Sequence, residues 1–250
     1  MGVHLTMPKR LRAPDVAELV VGGELLPVTI KRHARARRMI LRLDRQATRV
    51  IVTMPERASR RKAIEFARMN EGWIRSRLCA VPPPIPFEQG AIIPVRGIPH
   101  EIRHFDAKRG GVRVSERAPD SMSVIEVAGD IAHLGRRIRD WLKEESKREL
   151  AAASLAYATA MRVRFCKISV RDPASRWGSC SVQGHLSYSW RLIFAPPFVL
   201  DYVAAHEVAH LAQMNHGPKF WALVAKHCPD FEKARLWMKR YGRVLHSYGG

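Results

Sequence analysis

Two imidazoles and a carboxylate stand together in His206-Glu207-Val208-Ala209-His210. On a helix, four residues advance the face by about 400°, so His206 and His210 lie about 40° apart and can reach one cation. Glu207 sits beside that face, placed to act as general base on a zinc-bound water. Attack of that water on a carbonyl, with the proton passed to the leaving amine, is metal-assisted hydrolysis, most simply of a peptide bond. Tyr202, Val203, Ala204, Ala205, Val208, Ala209 and Leu211 make this a buried helix, in which three polar side chains need partners. The plain alternative is a pair of hydrogen-bonded core histidines.

A third protein ligand is required. His216 follows at His210-x5-His216, and on an unbroken helix it would point about 120° away from His210. The sequence supplies a break: Asn215 can adopt a left-handed cap, Gly217 follows, and Pro218 suits the first turn of a new helix. His216 can then swing back from a turn. The rival third ligand is Glu232, on a later helix. Metzincins share the His-to-His spacing but carry Gly where Gln213 stands, so the chain is not read as one of them. Three neutral imidazoles leave zinc most of its charge, and an open fourth position would hold water with a pKa lowered towards about 7. One Zn2+ per chain is expected.

Upstream, Trp177-Gly178-Ser179 is a candidate substrate-binding stretch. Gly178 permits close backbone approach, and the following strand, Leu186 to Phe194, could be an edge that binds an extended peptide by strand addition. Equally, Trp177 could be a core anchor and Gly178 a turn. Cys180 reads as a small buried thiol rather than a cap on the zinc. Arg176, Arg191 and Tyr241 are candidate oxyanion or carboxylate partners, each against a packing role. His227 and His246 carry no expected role.

The elements that position these groups form an α+β pattern. Residues 17–55 read as short strands with a Gly22-Gly23 turn and a polar loop from Asp44 to Thr48. Residues 60–79 read as one helix, with Ser59 as its N-cap. Pro82-Pro83-Pro84-Ile85-Pro86 is a stiff connector, and short strands return over 91–128. A helix from Asp130 to about Ala160 carries the stripe Ile131, Leu134, Ile138, Trp141, Leu142 and Leu150. Lys167 to Val170 and Leu186 to Phe194 read as strands. Val199 to Met214, Pro218 to Cys228 and Asp230 to Tyr241 read as helices. The expected organisation is a β-rich basic region over 1–129, with one helix, and a catalytic region over 130–250.

The chain has 43 Lys+Arg against 23 Asp+Glu, a formal charge of +20. Residues 31–80 alone hold fifteen Lys/Arg and four Asp/Glu. That favours polyanions such as nucleic acid, against the plain reading of a solvated surface. An apolar content of 46% excludes wholesale disorder. No apolar run is long enough for a spanning helix, and Lys9, Arg10 and Arg12 precede no apolar signal segment, so the cytoplasm is expected. Cys79, Cys166, Cys180 and Cys228 form no CxxC pair and read as reduced thiols.

Arg176-Trp177-Gly178-Ser179-Cys180-Ser181, Gly184, Trp190-Arg191-Leu192, Pro196 and Tyr202-Val203 lead into His206-Glu207-Val208-Ala209-His210, and Asn215-His216-Gly217 and Phe220-Trp221 follow. This series resembles the YgjP-like metallopeptidases, relatives of SprT-like zinc proteases. The resemblance covers nearly the whole chain, with its specific part C-terminal. It implies zinc on His206, His210 and His216, a catalytic Glu207, and a zincin-like core with a small mixed or antiparallel sheet beside the active-site helix. SprT-like relatives include proteases acting on DNA-bound proteins, which with the charge points to a DNA-linked role for the 31–80 region. Two other functions compete: a nucleic-acid-binding protein with structural zinc, and a zinc hydrolase of a non-peptide amide.

Overall fold

The computed structural model describes residues 15–44, 49–78, 83–107, 110–115, 122–173 and 175–249. Lys9, Arg10 and Arg12, the loop positions 45–48 and Cys79 lie outside the described residues. The chain forms two compact units, Met1–Val81 and Pro82–Gly250. No helix among the described residues is long and apolar enough to cross a membrane.

In the first unit β1 (Asp15–Val21), β2 (Glu24–His33), β3 (Ile40–Leu43) and β4 (Val50–Pro55) make one sheet in the order β1-β2-β4-β3. Gly22 and Gly23, both at positive φ, close the β1–β2 hairpin. β2 and β4 run parallel. Alternate residues Val50, Val52 and Met54 are buried, as a strand's period of two requires. They pack with Val28 and Ile30 against Ala63, Ala67 and Ile74, which lie on α1 (Arg60–Met69) and α2 (Glu71–Leu78). Ser59 Oγ caps α1 by accepting from Lys62 N at 3.3 Å. The single helix expected over 60–79 is two helices. Asn70 divides them, its side-chain Nδ2 donating to Phe66 O at 2.7 Å in competition with the helical ladder.

The second unit begins with β5 (Ile92–Val95), β6 (Ile98–Phe105), β7 (Val112–Ser115) and β8 (Ser123–Ala128), in the order β5-β6-β8-β7. Ile93, Val95, Ile102, Ile125 and Val127 of this sheet share one apolar cluster with Ile138 and Leu142 of α3 (Leu134–Met161) and with Trp190, Ile193 and Phe194. The division expected at 129/130 therefore falls inside a single core. The units part at the proline run instead. That run is tied down rather than free: Ile85 N donates to Ser247 O at 2.8 Å, and Ile85 O accepts from Gly249 N at 2.8 Å.

Along α3 the buried positions are Leu134, Ile138, Leu142, Ser146, Leu150, Ser154 and Ala158. A spacing of four turns the stripe about 40° per step, so it winds around the helix. It thereby faces first the β5–β8 sheet and then the active-site helix. Ile131 of the expected stripe is 60% exposed, since it precedes α3 in a 3-10 turn.

A second sheet has the order β10-β11-β9, from β9 (Lys167–Arg171), β10 (Gly178–Cys180) and β11 (His185–Ser189). The strand expected over Leu186–Phe194 stops at Ser189, whose Oγ accepts from Arg191 N at 3.4 Å. Trp190–Phe194 then forms a 3-10 helix with every residue buried, so a continuous apolar run is buried without strand alternation. β11 is central in its sheet, so it has no free edge for a peptide; β10 has one. Three helices complete the unit: α4 (Pro197–Ala209), α5 (Pro218–His227) and α6 (Phe231–Tyr241).

Candidate metal centre

α4 starts on Pro196 and Pro197, whose fixed φ suits a helix start. Val199, Leu200, Val203, Ala204, Ala205, Val208 and Ala209 are all buried, and the alanines let neighbouring elements approach closely. The helix ends at Ala209, not at Met214 as the apolar pattern suggested. Tight bonds replace the helical ladder, with Leu211 N donating to Val208 O at 3.0 Å and Ala212 N to Ala209 O at 3.1 Å. The break is thus a tightened last turn. Asn215 does not take the left-handed conformation expected of it; Arg96 and Arg162 are the non-glycine residues with positive φ among those described. Pro218 does open α5, behind Gly217 in an extended conformation.

This turn carries His216 back over the helix. His206 Nε2 and His216 Nε2 lie 3.0 Å apart, and one ligand atom from each of His206, His210 and His216 falls within 4.8 Å of the others. Nitrogen ligands at about 2.0–2.1 Å in a tetrahedron stand about 3.3 Å from one another, so the His206–His216 pair is close to ligand spacing and His210 lies near enough to complete a set around one small cation. His210 Nδ1 donates to Gln213 O at 3.1 Å, which leaves its Nε2 lone pair free. Tyr202 OH meets His206 Nδ1 at 3.4 Å and fixes the other ring. Two uncharged Nε2 atoms facing each other at 3.0 Å repel unless a proton or a cation lies between them. The donor set fits a zinc ion.

Burial favours the neutral form of the two helical rings, His206 and His210. It pulls His206 down to about 3, helped by His210, His216 and Arg235, and it lowers His210 as well. Phe220, fully buried, touches all three imidazoles, with ring centroids at 4.9, 4.6 and 4.8 Å from His206, His210 and His216. Trp221 stacks on His216 at 5.7 Å. The roles of Phe220 and Tyr202 escaped the sequence reading. Their signals were the Tyr202-to-His206 spacing of four and two aromatics in the first turn behind Pro218.

Glu207 is 6% exposed. Burial pushes its carboxyl up to about 7, against the pull of Arg176. Gly178 of β10 lies over it: a Cβ there would come within 2.5 Å of Glu207 Cγ and Oε1. The glycine is therefore required by close approach to the carboxylate, not by a turn. Gly178→Ala should fold and keep its metal ligands, because the clash is with a flexible side chain. Displacing the carboxylate by about 1 Å should cost about 10²-fold in turnover. A steady-state assay paired with a melting curve checks this; unchanged turnover would count against the assigned contact.

The remaining candidates separate cleanly. Trp177 stacks on His246 at 4.8 Å and forms a wall of one cavity at Glu207; Ser179 lines the neighbouring cavity, which Glu207 also lines. Cys180 is half-buried beside Ser179; burial, then Glu207, raises its thiol to about 11, and it is not in the converging set. Arg191, 5% exposed, bonds Asp172 at 2.8 Å and the carbonyls of Leu245 and Tyr248 at 3.2 and 2.6 Å. It ties down the C-terminal tail and does not reach the histidines. Tyr241 lies in a separate aromatic pocket with Trp237 and Tyr248. Glu232 pairs with Arg235 at 2.8 Å and is not in the converging set. Arg176 is the one of the three oxyanion candidates that lines the cleft.

A histidine cluster over a buried carboxylate, in a cleft beside a sheet edge, is the equipment of a metal-dependent hydrolase. The chain belongs to the YgjP-like family, whose metallopeptidase-domain model matches residues 37–241. Membership makes it a metallopeptidase, and zinc is the metal typical of that class. No curated protein matches the sequence. Solved structures similar over a part of it include two metallopeptidase zymogens. The metallopeptidase zymogen abylysin from Pyrococcus abyssi is 17% identical, covering 36% of this chain and 93% of that one at a TM-score of 0.32. The zymogen jannalysin from Methanocaldococcus jannaschii is 17% identical, covering 37% and 89% at 0.33.

Proposed function

We propose that the protein is a zinc-dependent peptidase in which His206, His210 and His216 hold the metal and Glu207 moves the proton. The convergence of three imidazoles beside a carboxylate roofed by Gly178 carries this reading. Bound zinc supplies Lewis acidity, acidifying water and polarising a carbonyl. Glu207 Oε1 accepts the proton of the attacking water and delivers it to the departing amine. β10 accounts for substrate binding. Trp177 O accepts from Ser189 N at 2.8 Å and Ser181 N donates to His185 O at 3.0 Å. By alternation, the backbone groups of Gly178 and Cys180 point away from β11, free to pair with an extended chain. Cavities of about 350 and 290 Å³ meet at Glu207, one reaching towards Arg235 and Met238 and the other towards His210 and Met214. That favours a polypeptide running across the site over a small acylated amine.

Chelation should abolish cleavage of an unfolded polypeptide, and one equivalent of zinc should restore it, while the circular dichroism of the metal-free protein stays native. A chelator that unfolds the chain would instead mark a structural metal.

For DNA-associated substrates the support is the placement of charge in the first unit. β2 and β4 run parallel and end at His33 and Pro55; α1 begins at Arg60. The topology gathers Lys31, Arg35, Arg37, Arg38, Arg57, Arg61 and Lys62 at that end of the sheet, all exposed. None of these seven forms an ion pair among the described residues. The first turn of α1 has no acidic residue to match its dipole, so cations crowd the positive end of a helix, an arrangement an external polyanion would relieve. DNA affinity should fall steeply with salt. Changing Arg35, Arg37 and Arg38 together to Glu should flatten the log–log slope by about 0.9 for each phosphate no longer neutralised. A slope near zero for the wild type would refute this part of the reading.

A further inference from the structure

The cavity of about 350 Å³ on the α6 side of Glu207 carries a charge pattern that hydrolysis itself does not need. We infer that it selects a carboxylate-bearing side chain beside the scissile bond of the substrate, held by Arg176 and Arg235. This rests on the peptidase reading above.

Both guanidinium groups belong to the cavity wall, along with Trp177 and Met238. Among the described residues Glu207 is the one carboxylate lining it, and Glu207 is committed to the reacting water. Arg176 is exposed and makes no ion pair or hydrogen bond among the described residues. It is not adrift, because Trp177 beside it is anchored to β11 through its carbonyl and to His246 through its ring. Arg235 is held in place from the other side. Its guanidinium lies 4.7 Å from the Trp221 ring centroid, a cation–π contact that fixes the group without satisfying its hydrogen bonds. Its single acidic partner is Glu232, one turn away at 2.8 Å, with side chains 45% and 60% exposed. Exposed pairs of this kind are weak and exchange readily for a better-placed carboxylate.

The apolar part of the wall, Trp177, Val203 and Met238, suits the methylenes of a glutamate, and the two forks suit its carboxylate. A lysine side chain would add a third cation to a site with no carboxylate to spare. A leucine would cover Arg176 without replacing the water it loses, so discrimination works by penalty as well as attraction. Gly178 joins the two functions: it lines the same cavity and offers its backbone to the substrate, so the pocketed side chain belongs to a residue next to the cleaved bond.

The test uses one peptide series on the zinc-loaded full chain, identical except for Glu, Gln, Leu or Lys on either side of the cleaved bond. A charge-assisted pair worth about 1.5–3 kcal/mol corresponds to about 10–100-fold in kcat/KM for Glu over Gln, with Lys lowest. Arg235→Glu should reverse the order of Glu and Lys, and Arg176→Gln should shrink the Glu advantage. Both residues are exposed, so the variants should fold, and their dichroism confirms it. Binding of the same peptides to zinc-loaded Glu207→Gln is measured by calorimetry, a readout independent of turnover. Equal kcat/KM for Glu and Lys peptides, or a ratio unmoved by Arg235→Glu, would overturn the pocket while leaving the peptidase intact. Preferential binding of the Glu peptide without any cleavage would uphold the pocket and overturn the peptidase. Neither cleavage nor preference would overturn both.

Discussion

Glu207→Gln leaves the zinc in place and removes about 10³-fold or more of the hydrolysis, at the upper part of the range for a lost general base. The amide has nearly the volume of the carboxylate, so it fits under Gly178 and between the buried neighbours of α4. What it cannot do is take a proton. The three imidazoles are untouched, and metal content should stay at about one per chain. Glu207→Asp adds a useful contrast. It keeps the proton chemistry but withdraws the carboxylate by one methylene from a position set by Gly178, so its loss should be nearer about 10²-fold. Metal analysis and single-turnover rates on all three proteins separate chemistry from metal loss. A Gln variant with full turnover would take Glu207 out of the mechanism.

The parts of this site that were legible in the sequence were the ones fixed by local geometry. A spacing of four on a helix dictates that His206 and His210 share a face, and no tertiary contact can alter that. Pro218 behind Gly217 likewise announced a new helix, and Ser59 announced the start of α1. What escaped depended on partners distant in sequence. Gly178 could be read as a turn until Glu207, on another element, was seen to occupy the space of its missing Cβ. Arg191 looked like an anion partner because its charge is local information. The carbonyls of Leu245 and Tyr248 that absorb that charge are not. The run from Leu186 to Phe194 is apolar enough for a strand, but an unbroken apolar run carries no period, and a 3-10 helix buried on all sides satisfies it equally. The same ambiguity put the free sheet edge on the wrong strand. The expected boundary at 129/130 followed a change from strands to helix, whereas the core ignores that change because the β5–β8 sheet and α3 bury each other.

His216 is the proposed third ligand, and its removal decides between the two third-ligand readings. It is exposed and sits in the turn between α4 and α5, so His216→Ala should leave the melting temperature of the metal-free protein unchanged. Zinc would then rest on His206 and His210 alone. Losing a mere outer partner of a ligand costs about 10–100-fold in affinity, and losing the ligand itself should exceed that, so the variant should surrender its zinc to a chelator that the wild type resists. Phe220 would stay in contact with the two helical rings, so the loss would report coordination and not a collapse of the ring packing. Glu232→Ala is the matched control. Its carboxylate is engaged with Arg235 on α6 and stands apart from the converging nitrogens, so zinc retention should be that of the wild type. If Glu232→Ala releases the metal and His216→Ala keeps it, the third position belongs to the carboxylate. The close Nε2 pair of His206 and His216 would then be a hydrogen bond, and the net charge at the metal would fall by one.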